Sequence, residues 1–206
     1  MSSDPPPRRS PSVSRRDPQQ LLAALELLKL QEVWSHRRAL RILGPYDDLV
    51  EARVLVQAPS EVGLVVFLDM EGRRAVNLNP HQNVSVDRHV NLLYLRLAAR
   101  TYGWTLIREP YAGERKRVGV LARLAQATDR DRQMLVMARC IAGGYARSTI
   151  VDVYDFIRST LLAYDETLVV IQPSLKKSGR IGLDPGLGLL ELREYTVPRP
   201  SPQGAR

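Results

Sequence analysis

Apolar residues at the start of the chain recur at near-helical spacing and predict three short helices. The first helix begins at Pro18, because the N–H that proline lacks would have no partner at a first helical position, and Asp17 is a suitable N-cap. Ser35 is the predicted N-cap of the second helix, and Gly44 ends it. A third helix is predicted over residues 45–55.

The apolar pattern then changes to that of a β-hairpin. Leu64–Leu68 is apolar and favours a strand, Glu71 and Gly72 predict a tight turn, and Arg74–Leu78 returns as the partner strand. Three helices followed by a hairpin is the order of a winged helix-turn-helix, which we predict over residues 18–80. The same order also occurs in other small domains, so the pattern leaves this assignment open.

A second unit, residues 81–195, alternates helical and extended patterns. Short apolar runs predict five strands, which are Trp104–Ile107, Val118–Leu124, Gln133–Ile141, Leu168–Ile171 and Leu189–Tyr195. The predicted helices are Val86–Tyr102, capped by Ser85 or Asp87, and a second helix from Ser148 or Thr149 to about Ala163. Asp129–Arg132 is a predicted charged turn.

This order of elements predicts a small α/β layer, in which the segment 147–171 makes a right-handed crossover onto strand 133–141. The predicted fold class is α+β, with an N-terminal winged helix-turn-helix followed by a small α/β domain of mixed sheet and flanking helices. Residues 1–17, rich in Pro, Ser and Arg, and residues 196–206, rich in Pro, are predicted to be disordered. The basic N-terminal arm either touches phosphates or is a solvated tail.

The net charge of +8 over 206 residues favours a nucleic-acid partner. Residues 81–195 contribute +5, with 17 Lys and Arg against 12 Asp and Glu, whereas residues 18–80 contribute −1, with seven against eight. The third helix, by position the recognition helix, contains Asp47, Asp48 and Glu51. Phosphates would repel these carboxylates unless they face solvent and complement the helix dipole. The predicted winged helix is therefore not the basic part of the chain.

Four groups of basic residues are candidates for contact with DNA phosphates. They are Arg37, Arg38 and Arg41 on the second helix, Arg73 and Arg74 at the predicted wing turn, Arg115, Lys116 and Arg117 before a strand, and Lys176, Lys177 and Arg180 in a Gly-rich loop. For the last group, a solvated surface loop is an equally good interpretation.

Searches for catalytic and metal-binding motifs are negative, and no cofactor or metal is predicted. The single cysteine, Cys140, excludes an internal disulfide and a multi-cysteine metal site, and its apolar surroundings favour a buried thiol. His36, His81 and His89 lack metal-ligand spacing, and His89 is predicted to have a surface or capping role near a helix start. No phosphate-binding loop, dinucleotide-binding glycine motif or Gly-x-Ser-x-Gly nucleophile turn is present.

No apolar run approaches the ~20 residues of a membrane span, and the N-terminus lacks the apolar segment of a secretory signal. We therefore expect no membrane partner and a cytoplasmic location.

Three stretches resemble those of a known family. Val50-Glu51-Ala52-Arg53-Val54-Leu55-Val56 resembles a third helix that continues into a wing, and Met70-Glu71-Gly72-Arg73-Arg74 resembles the wing turn without its threonine. Arg88-His89-Val90, followed by Leu93 and by Tyr102-Gly103-Trp104, resembles a linking helix. Over about residues 20–172 the chain thus resembles the replication-relaxation family of plasmid and mobile-element proteins. The resemblance implies a winged helix followed by a degenerate nuclease-like α/β domain.

An active nuclease core of that type needs carboxylates on adjacent strands to hold a divalent metal at the cleaved phosphate. The predicted strands 118–124 and 133–141 contain none, and Asp152 and Asp155 fall on the following helix. We therefore predict a domain without catalytic activity.

The leading hypothesis is a non-enzymatic DNA-binding protein that acts in DNA replication, repair or transcriptional regulation. The alternative is a protein-docking or dimerisation adaptor, which the acidic third helix favours, and a second alternative is a metal-dependent nuclease with an unrecognised site. DNA-binding winged helices often pair, so a homodimer is also expected, although the sequence identifies no interface.

Overall fold

The computed structural model describes residues 16–82, 85–108, 119–126, 128–140, 145–160, 167–176 and 190–198. The helices are α1 (Pro18–Gln31), α2 (His36–Leu43), α3 (Asp47–Glu51), α4 (Met70–Ala75), α5 (Val86–Thr101) and α6 (Arg147–Thr160). The strands are β1 (Trp34–Ser35), β2 (Leu55–Ala58), β3 (Val65–Leu68), β4 (Trp104–Arg108), β5 (Val120–Gln126), β6 (Asp129–Ala138), β7 (Thr167–Gln172) and β8 (Leu190–Glu194). The described chain is thus α+β, with one antiparallel and one mixed sheet.

The N-terminal unit packs its helices against a three-stranded antiparallel sheet in the order β1-β3-β2. The helix starts follow the predicted caps, since the side chains of Asp17 and Ser35 each accept a hydrogen bond from a backbone N–H of the first turn of α1 and α2. Gly44 ends α2 with a φ of 68°, a conformation that favours glycine. The predicted first and second helices are therefore confirmed.

The third helix is shorter than predicted over residues 45–55. It ends at Glu51, because Arg53 takes a φ of 57°, a left-handed conformation that leaves the helical path. The β-branched Val54 and Val56 on either side of Leu55 then favour the extended strand β2.

The hairpin lies earlier in the chain than predicted. Strand β3 pairs with β2 in antiparallel register, with Leu55 opposite Leu68 and Ala58 opposite Val65. The connecting turn is therefore the segment 59–64, where the sequence has Pro, Ser and Gly.

The predicted turn at Glu71 and Gly72 and the predicted partner strand Arg74–Leu78 are wrong, because this segment begins with helix α4. Asp69 caps α4 through its side chain, and Met, Glu, Arg and Ala all favour a helix. The helix lies close to the start of β2. The Asp69 N–H donates to the Val54 carbonyl at 3.0 Å, and a Cβ at Gly72 would lie 2.1 Å from that same oxygen.

The C-terminal unit is built on a five-stranded sheet in the order β4-β5-β6-β7-β8. Strands β4, β5 and β6 are antiparallel, whereas β6, β7 and β8 pair in parallel. The parallel pairing of β6 with β7, which follows α6 in the chain, confirms the predicted pairing of this segment with strand 133–141.

Several boundaries in this unit differ from the prediction. Asp129–Arg132, predicted as a charged turn, forms the start of β6, because the ladder with β5 extends to the pair Gln126 and Asp129. The predicted strand Val118–Leu124 is displaced by two residues to β5. Helix α6 already begins at Arg147, so its cap is neither of the two predicted residues. Charged residues indicate exposure to solvent. The end of a β-hairpin is as exposed as a turn, so charge does not distinguish the two.

Helix α5 joins the two units, and nine of its residues are buried. One core cluster contains buried residues of α5 together with Val65 and Phe67 of the first sheet and Val136 and Val169 of the second. The two units therefore share a core, although a polar stretch near residue 80 separates them in the sequence.

His89, for which a surface or capping role was predicted, is buried in this junction. Its exposed fraction is 8%, its Nδ1 lies 2.8 Å from the Ser85 carbonyl oxygen, and its ring stacks on Phe67 with centroids 4.4 Å apart. Burial lowers the pKa of His89 below its usual value.

Within the described ranges, no helix has both the length and the apolar character required to cross a membrane.

Candidate nucleic-acid interface

Three arginines of α2 and two of α5 line a groove of about 750 Å³. We call it the arginine groove and define it by Arg37, Arg38, Arg41, Arg96 and Arg100. Its apolar lining includes Trp34, Leu93 and Leu97. The structure thus brings together the three candidates predicted on the second helix and adds two arginines from α5.

Helical spacing places these side chains along the two walls. Arg37 and Arg41 are four residues apart on α2, and Arg96 and Arg100 are four residues apart on α5. Side chains at this spacing lie on one face of a helix, separated by about 6 Å along its axis. Each wall therefore carries two arginines one helical turn apart, on a face that lines the groove.

Two of the arginines also make contacts that position the walls. Arg96 Nη1 donates to the backbone carbonyls of Gln31 and Val33, the latter at 3.5 Å, so α5 is joined to the segment that leads into α2. The Arg38 guanidinium carbon lies 5.8 Å from the centroid of the Trp34 ring, in a cation–π arrangement. The first contact ties α5 to the segment before α2, and the second places Arg38 over Trp34.

No carboxylate lines the groove among the residues that the structure describes. Elsewhere, arginines form ion pairs, which are Arg16 with Asp48, Arg53 with Asp69, Arg74 with Glu71, Arg88 with Glu32 and Arg193 with Glu191. Within the described chain, Arg37, Arg41 and Arg100 have no such partner. Their charge is available to an external anion.

Arg38 is partly buried in the groove. Its Nε is buried and has no hydrogen-bond acceptor among the described residues. Burial, together with the charges of Arg100 and Arg41, lowers the pKa of Arg38 from its usual value. The cluster is thus a site of positive charge that an anion would stabilise.

Arg73 and Arg74 do not lie at a wing turn, because the segment that contains them is helix α4. Arg73 donates to the Asn79 carbonyl at 2.8 Å and to Gln82 Oε1 at 2.7 Å. Arg74 forms an ion pair with Glu71 at 2.7 Å. Both guanidinium groups are engaged within the protein, and neither lines the arginine groove.

The remaining predicted candidates lie elsewhere or are not described. Lys176 is exposed in a turn after β7. The predicted sites Arg115, Lys116, Arg117, Lys177 and Arg180 lie outside the described residues.

The acidic start of α3 binds an arginine of the same chain. The Arg16 guanidinium donates to the Asp48 carboxylate and to the carbonyl of Pro45, and its Nε donates to the carbonyl of Leu43 at 3.2 Å. The hydrogen bond from Arg16 lowers the pKa of Asp48. Asp47 remains exposed at the first position of this helix.

The sequence-based prediction missed Arg96 and Arg100, because their charge alone resembles that of any solvent-exposed helix face. A usable signal was present in the spacing: Leu93, Arg96, Leu97 and Arg100 recur at intervals of three and four and form one continuous stripe. The sequence does not show that this stripe faces α2, because the packing of the shared core determines where the two helices lie.

Among the described residues, no group of three or more His, Cys, Asp and Glu side chains could hold a metal ion. Burial raises the pKa of the Cys140 thiol to about 11, which opposes thiolate formation at neutral pH. Asp152 and Asp155 are exposed on α6. Asp129 and Asp131, predicted to lie in a turn, belong to β6, and their side chains lie outside the described part.

No protein-family model, curated protein or solved structure matches the chain.

Proposed function

We propose that this chain is a non-enzymatic DNA-binding protein that contacts the phosphate backbone of DNA through the arginine groove. The observation that supports the proposal most directly is the convergence of five arginines on one groove with no carboxylate in its described lining. Guanidinium groups form charge-assisted, often bidentate hydrogen bonds with phosphate oxygens.

The topology of the N-terminal unit supports a winged helix as part of this proposal. Its element order is helix, strand, two helices, a two-stranded hairpin and the short helix α4, and its sheet order is β1-β3-β2. Helix α3 occupies the position of a recognition helix, but it has only five residues and begins with Asp47 and Asp48. We therefore expect arginines of α2 and α5 to contact the DNA phosphate backbone, and we do not expect α3 to read base edges.

The proposal predicts binding to DNA that depends steeply on salt and little on sequence. Each phosphate contact that is lost reduces the slope of log affinity against log salt concentration by about one. We expect the double variant Arg41→Gln/Arg100→Gln to weaken binding and to reduce this slope by about two. Fluorescence anisotropy with a labelled duplex, across a salt series, measures both quantities.

The matched control is Arg74→Gln, which removes one charge from an exposed ion pair in α4, outside the groove. It should leave the slope nearly unchanged. If Arg74→Gln and the single variant Arg41→Gln change the affinity equally, net charge explains the binding and the groove has no special role. Binding that is insensitive to salt would exclude the proposal.

A second candidate function, dimerisation or docking, has one specific observation in its favour. On α1, the side chains of Leu22, Leu27 and Leu30 are 46%, 37% and 69% exposed. Glu26 and Lys29 form an ion pair on the same helix, so this surface has little net charge in a chain of +8. A second copy of the chain would meet less repulsion there than elsewhere.

Under this alternative, groove variants leave DNA binding unaffected, and Leu30→Glu lowers the mass measured by light scattering from that of a dimer to that of a monomer. A role in replication, repair or regulation belongs to the proposal as well, and it rests only on the resemblance given above.

A further inference from the structure

We propose that Arg38, Arg41 and Arg100 form an anchor for one phosphate group, with Arg38 at its centre. This inference rests on the proposed function only in taking DNA as the molecule that carries the phosphate. The anchor itself can be tested with inorganic phosphate alone.

The first observation is the unsatisfied hydrogen-bonding capacity of Arg38. Its Nε is buried without an acceptor among the described residues, and no hydrogen bond from its other guanidinium nitrogens is formed there either. Buried donors in native proteins nearly always have a partner, so a donor without one calls for a ligand, an ion or a water. The lining of the arginine groove contains no carboxylate in the described chain that could serve instead.

The second observation is the position of the guanidinium. Trp34, which is 1% exposed, lies beneath Arg38, with its ring centroid 5.8 Å from the guanidinium carbon, and a cation–π contact favours this placement. Ser35 caps the helix by accepting a hydrogen bond from the Arg38 backbone N–H at 3.4 Å, so the backbone of residue 38 is fixed as well. Arg38 is therefore preorganised, and a ligand need not first order it.

The third observation is the repulsion within the cluster. Arg41 and Arg100 line the same groove as Arg38, and their positive charges oppose that of Arg38. One anion that bonds all three guanidinium groups replaces this repulsion by attraction, and its charge is shared among three donors. Arg41 comes from the wall formed by α2 and Arg100 from the wall formed by α5, so such an anion would bridge the two walls.

The chemistry of the donors indicates a phosphate group. A guanidinium group can donate two parallel hydrogen bonds to two oxygens of either a phosphate or a carboxylate. A carboxylate, however, has only two oxygens. A phosphate group offers more oxygens and a tetrahedral arrangement, which three converging arginines can share. The group could belong to an internal phosphodiester or to a terminal phosphomonoester of a strand, and the experiment below separates these sources.

The direct test is a thermal unfolding series of the full chain in increasing inorganic phosphate, with chloride at matched ionic strength as the reference. We expect a saturable rise in Tm with phosphate beyond that in chloride, because a ligand that binds only the folded state stabilises it. Arg38→Gln and the charge-conserving variant Arg38→Lys should each weaken phosphate binding by about tenfold or more. The control Arg74→Gln should bind phosphate as the wild type does.

No rise in Tm beyond that in chloride would overturn the anchor, and so would an equal rise in Arg38→Lys. Circular dichroism of each variant without phosphate shows whether it is folded. Arg38→Lys keeps the charge and the long side chain, so it removes the fork while disturbing the packing on Trp34 least.

The second arm compares two duplexes of one sequence, with and without 5′-phosphates. A preference for the phosphorylated duplex that Arg38→Lys abolishes assigns the anchor to a terminal phosphomonoester. Equal affinity for both, lowered equally by Arg38→Lys, assigns it to an internal phosphodiester. Phosphate binding without DNA binding would retain the anchor and reject the proposed function, whereas salt-dependent DNA binding that is unchanged in Arg38→Lys would reject the anchor alone.

Discussion

At the scale of single residues, burial decides what a polar or charged side chain does in this protein. Arg74 and Arg38 have the same chemistry, but Arg74 is exposed beside Glu71, whereas Arg38 lies in a groove without a carboxylate in the described chain. An exposed ion pair contributes little to stability, roughly 0–1 kcal/mol. The sequence does not distinguish the two arginines, because the fold determines which of them has a carboxylate partner.

His89 gives a prediction for the effect of pH on stability. Because burial lowers the pKa of His89 in the folded state, the unfolded state binds a proton more readily. The stabilisation is therefore complete above the usual histidine pKa of about 6.5 and is lost as the pH falls below it, towards the lower pKa of the folded state. The free energy of unfolding should decrease over this range.

Urea denaturation between pH 7.5 and pH 5 measures this decrease. The variant His89→Phe retains a ring that can stack on Phe67 but has no titrating group, so its stability should depend less on pH than that of the wild type. His81→Phe is the matched control, since His81 is exposed. Parallel curves for His89→Phe and the wild type would show that other groups cause the pH dependence.

At the scale of elements, close packing explains why a segment that resembles a turn is a helix. Gly72 lies within α4, where a Cβ would approach the Val54 carbonyl oxygen to 2.1 Å. The glycine thus allows α4 to lie directly against the start of β2. Glycine commonly marks a turn, and the alternative role of permitting a close approach between elements depends on contacts that a local pattern does not contain.

Gly72→Ala tests this interpretation. The atom that would be met is a backbone oxygen, which cannot rotate away, so α4 must move and the variant should lose roughly 1–3 kcal/mol in the free energy of unfolding. Gly63→Ala is the control, because residue 63 has a φ of 90° but no atom within 4 Å of the added Cβ. It should lose about 1 kcal/mol. Equal losses would mean that the close contact has little effect.

Much of the element order was predictable because local signals and tertiary packing agree. The caps Asp17 and Ser35, the apolar face of α5 and the buried strand β7 all follow patterns that act within a few residues. The hairpin was misplaced because the segments 55–58 and 74–78 both contain residues that favour a strand and both lie near β3 in the sequence. Pairing in the sheet decides between them, and it is not visible in either segment alone. The arginine groove was predicted only in part. The arginines of α2 were candidates from the sequence, whereas the contribution of α5 depends on tertiary packing.

At the scale of the whole molecule, the shared core makes the two units depend on each other. Residues of both sheets pack with α5 in one cluster, and Phe67 of the first unit stacks on His89 of α5. Burial of apolar area is the main favourable term in folding, so separation of the units would expose surface that now stabilises both. A chain with a visible polar stretch between its halves can still unfold as one body.

The two tryptophans allow a test of this cooperativity. Trp34 lies in β1 of the first unit and Trp104 in β4 of the second, and the chain has no other tryptophan. In the single-tryptophan variants Trp34→Phe and Trp104→Phe, fluorescence reports on the second and the first unit respectively. We expect each fluorescence transition to coincide with the far-UV circular dichroism transition of the same variant in urea. Separate midpoints for the two probes would mean that the units unfold independently.

The position of α5 between the units has a consequence for dissection of the protein into fragments. A cut between Asn79 and Ser85 looks attractive in the sequence, because that stretch is polar and lies between two predicted domains. It would leave Arg37, Arg38 and Arg41 on one fragment and Arg96 and Arg100 on the other. Each piece would also expose an apolar surface that α5 now covers or provides. Loss of DNA binding by either fragment would then reveal nothing about where the ligand lies, since neither contains a complete site.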